Sequence, residues 1–243
     1  MPEQLWFTEF LNHYLGAPVT ALMEKLGIHP AYPRAPITNA VAMEMLVVVL
    51  LLVFFLLVRA RLSVDKPGGL QHLVEAVEEF IDEQAHGVIG HGYERYIPYA
   101  IALGYFILLA NLLGLVPGFE SPTAAPSVPL GCALVTFVYY HYHGIRTHGV
   151  HYVKQFVGPV LVLAPLMFLI EVVSHFARIL SLTVRLYANM FAGDMVTLAF
   201  FSLVPVLVPT LFLGLHLGVA LVQTFIFVML TLVYLGMAVS EEH

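Results

Sequence analysis

The sequence predicts an all-α, multi-pass membrane protein with about five membrane helices. Of its 243 residues, 60% are hydrophobic and 11% are charged, whereas soluble domains contain about 45–50% apolar and about 25% charged residues. Long apolar stretches recur along the chain, and a helix needs only about 20 such residues to cross a bilayer core. The net charge of −6 argues against a nucleic-acid partner. The single cysteine excludes an internal disulfide.

Three candidate spans lie before residue 143. Residues 39–58 contain Glu44 as their only charge, and residues 97–116 contain none. Residues 124–142 are a weaker candidate, because two prolines interrupt the stretch. The N-terminus, MPEQLWFTEF, carries two glutamates and no basic region, so we do not expect a cleaved signal peptide.

An amphipathic helix is expected between the first two spans, in the stretch GGLQHLVEAVEEFIDEQ at residues 68–84. Its leucines, valines, phenylalanine and isoleucine recur at helical spacing, and five acidic residues lie on the opposite face. Interfacial helices that bind anionic lipid carry lysine and arginine instead. The acidic face is therefore expected to meet protein or water.

The last stretch, residues 157–239, is almost continuously apolar and contains four charged residues. No proline lies between Pro165 and Pro205, so an unbroken helix there would be about 60 Å long, twice the bilayer core. Such a helix must either lie obliquely or break near Gly193. A second helix of about 45 Å is expected from Pro209 onwards, so that the two form a long, oblique hairpin.

The placement of lysine and arginine predicts the orientation in the membrane. Most of these residues lie in or beside two loops, which the positive-inside rule makes cytoplasmic. With five spans the N-terminus is then outside and the C-terminus cytoplasmic; Lys25 and Arg34 run against this assignment. The single membrane domain, residues 1–243, divides into an external or interfacial segment at 1–38, a first span at 39–60, a cytoplasmic amphipathic loop at 61–96, two spans within 97–142 and the hairpin at 157–240.

Polar side chains form one stripe on the first helix of the hairpin. They are separated by 4, 3, 7 and 4 residues, which places them within roughly an 80° arc. They are Glu171, His175, Arg178, Arg185 and Asn189. Charges inside a membrane are costly and usually face a bundle interior or a water-filled path. No acidic residue lies three or four positions from Arg185, so its counter-ion must come from another element or another chain.

Further polar residues lie beyond this stripe. Asp194 points to the other side of its helix, whereas His216 and Gln223, seven residues apart, share one face of the second helix. A lone histidine such as His216 is more often a satisfied core residue than a functional one. Gly214 and Gly218 are expected to permit a close helix approach.

Several polar residues have a structural interpretation as well as a functional one. Glu171 and Arg178 are spaced to form a buried ion pair, and Asn111 and Glu44 are explained as lining helix contacts. The histidines of HYHGIRTHGVH match no metal-site spacing, so we expect neither a metal nor a cofactor. These histidines are His141, His143, His148 and His151.

In the hairpin stretches that contain Arg185 and Gln223, the chain resembles subunit a of F-type ATP synthases. The resemblance rests on SLTVRLYANMFAGD and LVQTFIFVMLTLVYLGMAVSEEH, and more weakly on PGGLQHLVEAVEEFI and NLLGLVPG. It implies a non-catalytic membrane subunit that carries protons between two offset half-channels and a rotating proteolipid ring. The implied partners are that ring, the peripheral-stalk subunit b, the rest of the synthase and the lipid of a bacterial inner membrane.

The resemblance also assigns roles to individual residues. Arg185 matches the family's essential arginine, which faces the ring carboxylate, and Asn189 belongs to the same RLxxNMxAG core. Gln223 matches a glutamine close to that arginine across the hairpin. Asp194 and His216 match an interacting pair in the outer half-channel, where many relatives have glutamate in place of aspartate.

On the cytoplasmic side, Glu171 matches a carboxylate near the other half-channel, whereas His175 stands where an apolar residue is expected and receives no role. Two other function classes stay open from the residues alone. A self-contained secondary transporter predicts internal repeats, which the sequence does not show. A haem- or quinone-binding subunit would use His175 and His216 as ligands on adjacent helices.

Overall fold

Every regular element in the described part of the chain is helical, which confirms the all-α prediction. The computed structural model describes residues 4–30, 32–64, 66–116, 118–149, 152, 164–203 and 207–240. Its α-helices are α1 (Trp6–Lys25), α2 (Asn39–Ala60), α3 (Gly69–Ile89), α4 (Ile97–Leu113), α5 (Ser127–His148), α6 (Ala164–Leu203) and α7 (Leu207–Val239). Short 3-10 turns at Tyr93–Tyr96 and Pro122–Ala124 precede α4 and α5.

Four helical stretches of the described chain are long and apolar enough to cross a membrane. They are Asn39–Ala60, Tyr93–Leu113, Ala164–Phe200 and Thr210–Val239. These are the first two expected spans and the two arms of the hairpin, so the multi-pass prediction is confirmed. The weaker candidate at 124–142 is helical within α5, but α5 is not among the four, and its crossing of the membrane stays a prediction.

The core lies between α4, α5, α6 and α7. On α6, Leu182, Leu186 and Met190 are spaced four residues apart and are at most 2% exposed, so one face of that helix is fully buried. The other face exposes large apolar side chains, Leu180 and Val184 among them. The hairpin therefore has an inner face that packs on its own chain and an outer face that does not.

Helix α6 is continuous through Gly193, which decides between the two alternatives for the hairpin. It has 40 residues and is about 60 Å long, so within a bilayer core of about 30 Å it must lie obliquely. Gly193 permits a close approach instead of a break, because a Cβ there would lie 2.9 Å from Cε1 of His216. The turn residues 204–206 lie outside the described part of the chain.

The close helix approach expected at Gly214 and Gly218 is not made within the described part of this chain. Both are exposed on α7, and a Cβ added to either would meet no described atom within 4 Å. The close contact between the two arms of the hairpin is made on the opposite side of α7, where buried His216 lies against Gly193. The two glycines consequently face away from the chain's own core.

Helix α3 is amphipathic, as its spacing predicts. Its residues Ile81 and Ala85 are buried against α4 and α7, where Val228 and Leu232 belong to the same apolar cluster. Most of its acidic residues are exposed on the opposite face. Helix α1, which the sequence did not predict, is tied to the start of α2 because the Asn12 amide exchanges two hydrogen bonds with the Ile37 backbone, at 2.9 and 3.0 Å.

Candidate functional site

Arg185 lies near the middle of α6 at the boundary between its buried and exposed faces. Its side chain is half-buried, and Nη2 lies 3.5 Å from Oγ of Ser181 on the same helix. Among the described residues, no carboxylate forms an ion pair with this guanidinium. Within the described residues, neither its own helix nor any other element supplies a counter-ion.

One turn beyond Arg185, an amide pair joins the two arms of the hairpin. Nδ2 of Asn189 donates a hydrogen bond to Oε1 of Gln223 on α7 at 2.8 Å. Gln223 is only 2% exposed, and its own Nε2 has no partner among the described residues. The structure thus brings together two residues that the sequence placed on separate helices near the arginine.

Further along α6, Asp194 meets His216 of α7. The distance from Oδ1 of Asp194 to Nδ1 of His216 is 3.8 Å, within the range of an ion pair but longer than a hydrogen bond. The histidine is 4% exposed, while the side chain of Asp194 keeps 27% of its surface open. Nε2 of His216 has no partner in the described structure. The structure therefore places these two side chains within ion-pair distance of each other.

Glu120 is a further carboxylate that sequence spacing did not single out. It is exposed in the loop before the Pro122–Ala124 turn and accepts a 3.5 Å hydrogen bond from Asn39 at the start of α2. That turn packs against α6, the helix that carries Asp194. In the sequence, the one feature that could have pointed to Glu120 is that it is the only charged residue of GFESPTAAPSVP.

At the other end of the stripe, Glu171 is held by two neighbours on its own helix. Its Oε1 lies 3.4 Å from Nε2 of His175 and 3.9 Å from Nη2 of Arg178. The Arg178 guanidinium also stacks over the ring of Tyr234, at 5.1 Å from its centroid. The hydroxyl of Tyr140, on α5, contacts Nδ1 of His175 at 2.8 Å. The expected Glu171–Arg178 pair is present, and Tyr140 is a further member that sequence spacing did not reveal.

Asn111 lines a helix contact, as expected. It is fully buried on α4, and its Nδ2 lies 3.4 Å from both the Ala220 carbonyl and Oγ1 of Thr224 on α7. Its Oδ1 accepts a 2.6 Å hydrogen bond from Thr123. Glu44 of α2 is half-buried, with no hydrogen bond or ion pair to another described residue.

The histidines of HYHGIRTHGVH do not form one group. His141 packs its ring against that of His175 at 4.6 Å, whereas His143 lies against Tyr96 and Tyr139. His151 lies outside the described residues. Within the described ranges, no set of three or more histidine, cysteine or acidic side chains is arranged to hold a metal ion.

The haem- or quinone-ligand hypothesis is wrong for geometric reasons. His216 lies against Gly193, which is 18 residues beyond His175 on the same continuous helix. At 1.5 Å per residue the two imidazoles are about 27 Å apart along α6, too far to hold one iron or one quinone between them. The histidines therefore belong to two separate polar groups.

The fold and these side chains define a multi-pass helical membrane protein whose ionisable residues lie along one long helix hairpin. A family model described as ATP synthase A chain matches residues 41–236. ATP synthase subunit a of Koribacter versatilis is 60% identical over the full length of both chains. ATP synthase subunit a of Solibacter usitatus is 47% identical over 96% of this chain and 99% of its own. The chain belongs to the ATP synthase subunit a family.

Proposed function

We propose that this chain is the stationary proton-carrying subunit in the membrane sector of an F-type ATP synthase, and that Arg185 separates two offset half-channels. The observation that carries the proposal is the half-buried Arg185 guanidinium, which has no carboxylate partner among the described residues. An unpaired charge inside a membrane is costly, so we expect a partner beyond the described residues. A carboxylate on a rotating proteolipid ring meets that expectation.

The chemistry of arginine suits this role. A guanidinium is not deprotonated in proteins, so Arg185 cannot itself pass a proton across the barrier. It attracts an ionised ring carboxylate, disfavours the protonated form and repels a proton that moves straight through. Each charge that crosses the membrane potential supplies about 2.3 kcal/mol per 100 mV, which the turning ring passes on to ATP synthesis.

Two polar groups flank the arginine in opposite directions along α6. Asp194, paired with His216, lies nine residues beyond it, about 13 Å along the axis. Glu171 lies fourteen residues before it, about 21 Å along the axis. Their placement supports an outer half-channel at Asp194 and a cytoplasmic half-channel at Glu171. Asn189 and Gln223 then hold the two arms of the hairpin together beside the barrier.

The outer face of the hairpin is the surface on which the ring docks in this proposal. Small residues lie open there: Ala188 on α6, and Gly214 and Gly218 on α7. Small side chains let membrane helices approach closely. A hairpin that lies obliquely also fits the curved wall of a ring better than upright helices do.

The wider assignment follows from the proposed role. The subunit would contact the peripheral-stalk subunit b as well as the ring, in a bacterial-type inner membrane, with its N-terminus outside and its C-terminus in the cytoplasm. It would carry protons and leave ATP chemistry to other subunits. Exposed apolar side chains on α2, such as Leu52 and Leu56, support a surface for lipid or for another membrane subunit.

Substitution of Arg185 in the intact complex tests the proposal. Arg185→Ala and Arg185→Lys should both abolish ATP-driven proton pumping in inverted membrane vesicles, because lysine lacks the permanent, planar charge. Arg185→Ala should also raise passive proton leakage. Arg146→Ala is a matched control, since Arg146 is exposed at the end of α5. Normal pumping by Arg185→Lys would overturn the role given to the guanidinium.

A further inference from the structure

His175 belongs to a buried polar group that the proposed half-channels do not explain. It is 8% exposed at the contact between α5 and α6, where the hydroxyl of Tyr140, itself 2% exposed, lies 2.8 Å from its Nδ1. Polar groups buried at this depth in a membrane protein persist only where their hydrogen bonds are satisfied. This side chain is therefore held in one orientation.

The two ring nitrogens of His175 face different groups. Nδ1 faces a tyrosine hydroxyl, which can donate, while Nε2 faces Oε1 of Glu171 at 3.4 Å. A carboxylate can only accept a hydrogen bond, so the tautomer with its proton on Nε2 is the one that fits both neighbours. Tyr140 then donates to Nδ1, and the imidazole presents its N–H to the carboxylate.

Glu171 is contacted from two directions and open in a third. His175 approaches its Oε1 from one side, and Nη2 of Arg178 approaches the same oxygen at 3.9 Å. About a third of the glutamate side chain, 34%, stays exposed. Other titratable groups that pack on this cluster are His141 from α5, Tyr152, which shares a buried cluster with Tyr140, and Tyr234 from α7.

We propose that His175 is a positioning residue for Glu171: held by the Tyr140 hydroxyl, it directs its Nε2–H at the carboxylate and orients that carboxylate at the half-channel. This inference rests on the proposed function, because it assigns Glu171 to a proton path. The arrangement follows the general pattern in which a partner on one histidine nitrogen fixes what the other nitrogen presents. In this chain the partner is a tyrosine on the neighbouring helix.

Substitutions at His175 in the assembled complex test the inference. His175→Leu should lower ATP-driven proton pumping in inverted vesicles about fivefold, the effect of a coupling of moderate size. His175→Gln retains an N–H that can reach Glu171 and should pump within about twofold of the parent. A purely packing role predicts the opposite order, since leucine suits an apolar helix contact better than glutamine. Equal losses in the two variants would overturn the proposal.

Tyr140→Phe provides a second variant that removes one oxygen and preserves the ring. It should lower pumping, as His175→Leu does, because the imidazole loses the hydroxyl that holds its Nδ1. Tyr139→Phe is the matched control. The Tyr139 ring stacks on the Tyr99 ring, with 3.9 Å between the ring centroids, and its hydroxyl is not the one that contacts His175. All rates are normalised to assembled complex, measured by immunoblot. Parental pumping by Tyr140→Phe would contradict the proposed anchor.

A double-substitution cycle separates action through Glu171 from any independent role. In a Glu171→Gln background, His175→Leu should change the remaining pumping by less than about twofold, because the group it positions is already altered. The same fivefold loss in both backgrounds would refute positioning. Arg185→Ala is assayed in parallel: if it abolishes pumping while the His175 variants pump normally, only this inference fails, and if it pumps normally, the proposed function itself fails.

Discussion

At the scale of single residues, the contact between Asp194 and His216 gives a direct prediction. Their 3.8 Å approach across the hairpin predicts that they act together rather than as two independent groups. Asp194→Asn and His216→Gln should each lower ATP-driven proton pumping, and the double variant should be little worse than the worse single one. Losses that simply multiply would show that the two residues act separately.

The length of the acidic side chain can be tested at the same position. Asp194→Glu adds one methylene, which brings the carboxylate closer to the imidazole without removing the charge. We expect this variant to pump within about twofold of the parent, whereas Asp194→Asn loses most activity. Pumping rates in inverted vesicles, normalised to assembled complex, distinguish the outcomes. A total loss with glutamate would mean that the 3.8 Å gap itself is required.

The hydrogen bonds of Asn111 to α7 and to Thr123 favour a structural role over a role in the proton path. Asn111→Leu would leave the Thr123 hydroxyl without the acceptor that it reaches at 2.6 Å. Loss of one buried hydrogen-bond partner costs about 1–3 kcal/mol of folding free energy. The thermal denaturation temperature of the detergent-solubilised subunit should fall, while pumping per assembled complex stays near the parental rate. A selective loss of pumping with unchanged stability would contradict this assignment.

At the scale of elements, two kinds of glycine in the hairpin should respond differently to the same change. Gly193→Ala places a methyl group 2.9 Å from the His216 ring, whereas Gly214→Ala places one where no described atom lies within 4 Å. Both substitutions gain about 1 kcal/mol of helix propensity, so the propensity effect cancels in the comparison. We expect Gly193→Ala alone to lower the thermal stability of the solubilised subunit. Equal behaviour of the two variants would contradict the observed register of α6 and α7.

The same glycines show where sequence reasoning succeeded and where it could not. Helical spacing correctly grouped Glu171 with Arg178, because the geometry of a single helix fixes which residues share a face. Spacing could not say which side of α7 meets α6, so it did not reveal that Gly193, rather than Gly214 or Gly218, makes the close approach within the hairpin. It also could not pair Tyr140 with His175, since that contact depends on how α5 packs on α6.

At the scale of the whole molecule, the orientation in the membrane is the property open to test. The positive-inside rule places α3 on the cytoplasmic side and α1 outside. In a Cys132→Ala background, a cysteine placed at exposed Glu79 should react with an impermeant maleimide only in inverted vesicles. A cysteine at exposed His13 should react only in right-side-out vesicles. The reverse labelling pattern would invert the proposed topology and exchange the two half-channels.

The length of α6 has a consequence for the direction of motion. A helix of about 60 Å cannot stand upright within a core of about 30 Å, so it is inclined to the bilayer normal and part of its length runs sideways. Glu171 and Asp194, about 35 Å apart along that axis, are then separated laterally as well as in depth. In the proposed complex, the two residues would therefore lie at different positions around the circumference of the ring. The handedness of the inclination of α6 would then set the direction in which inward proton flow turns the rotor.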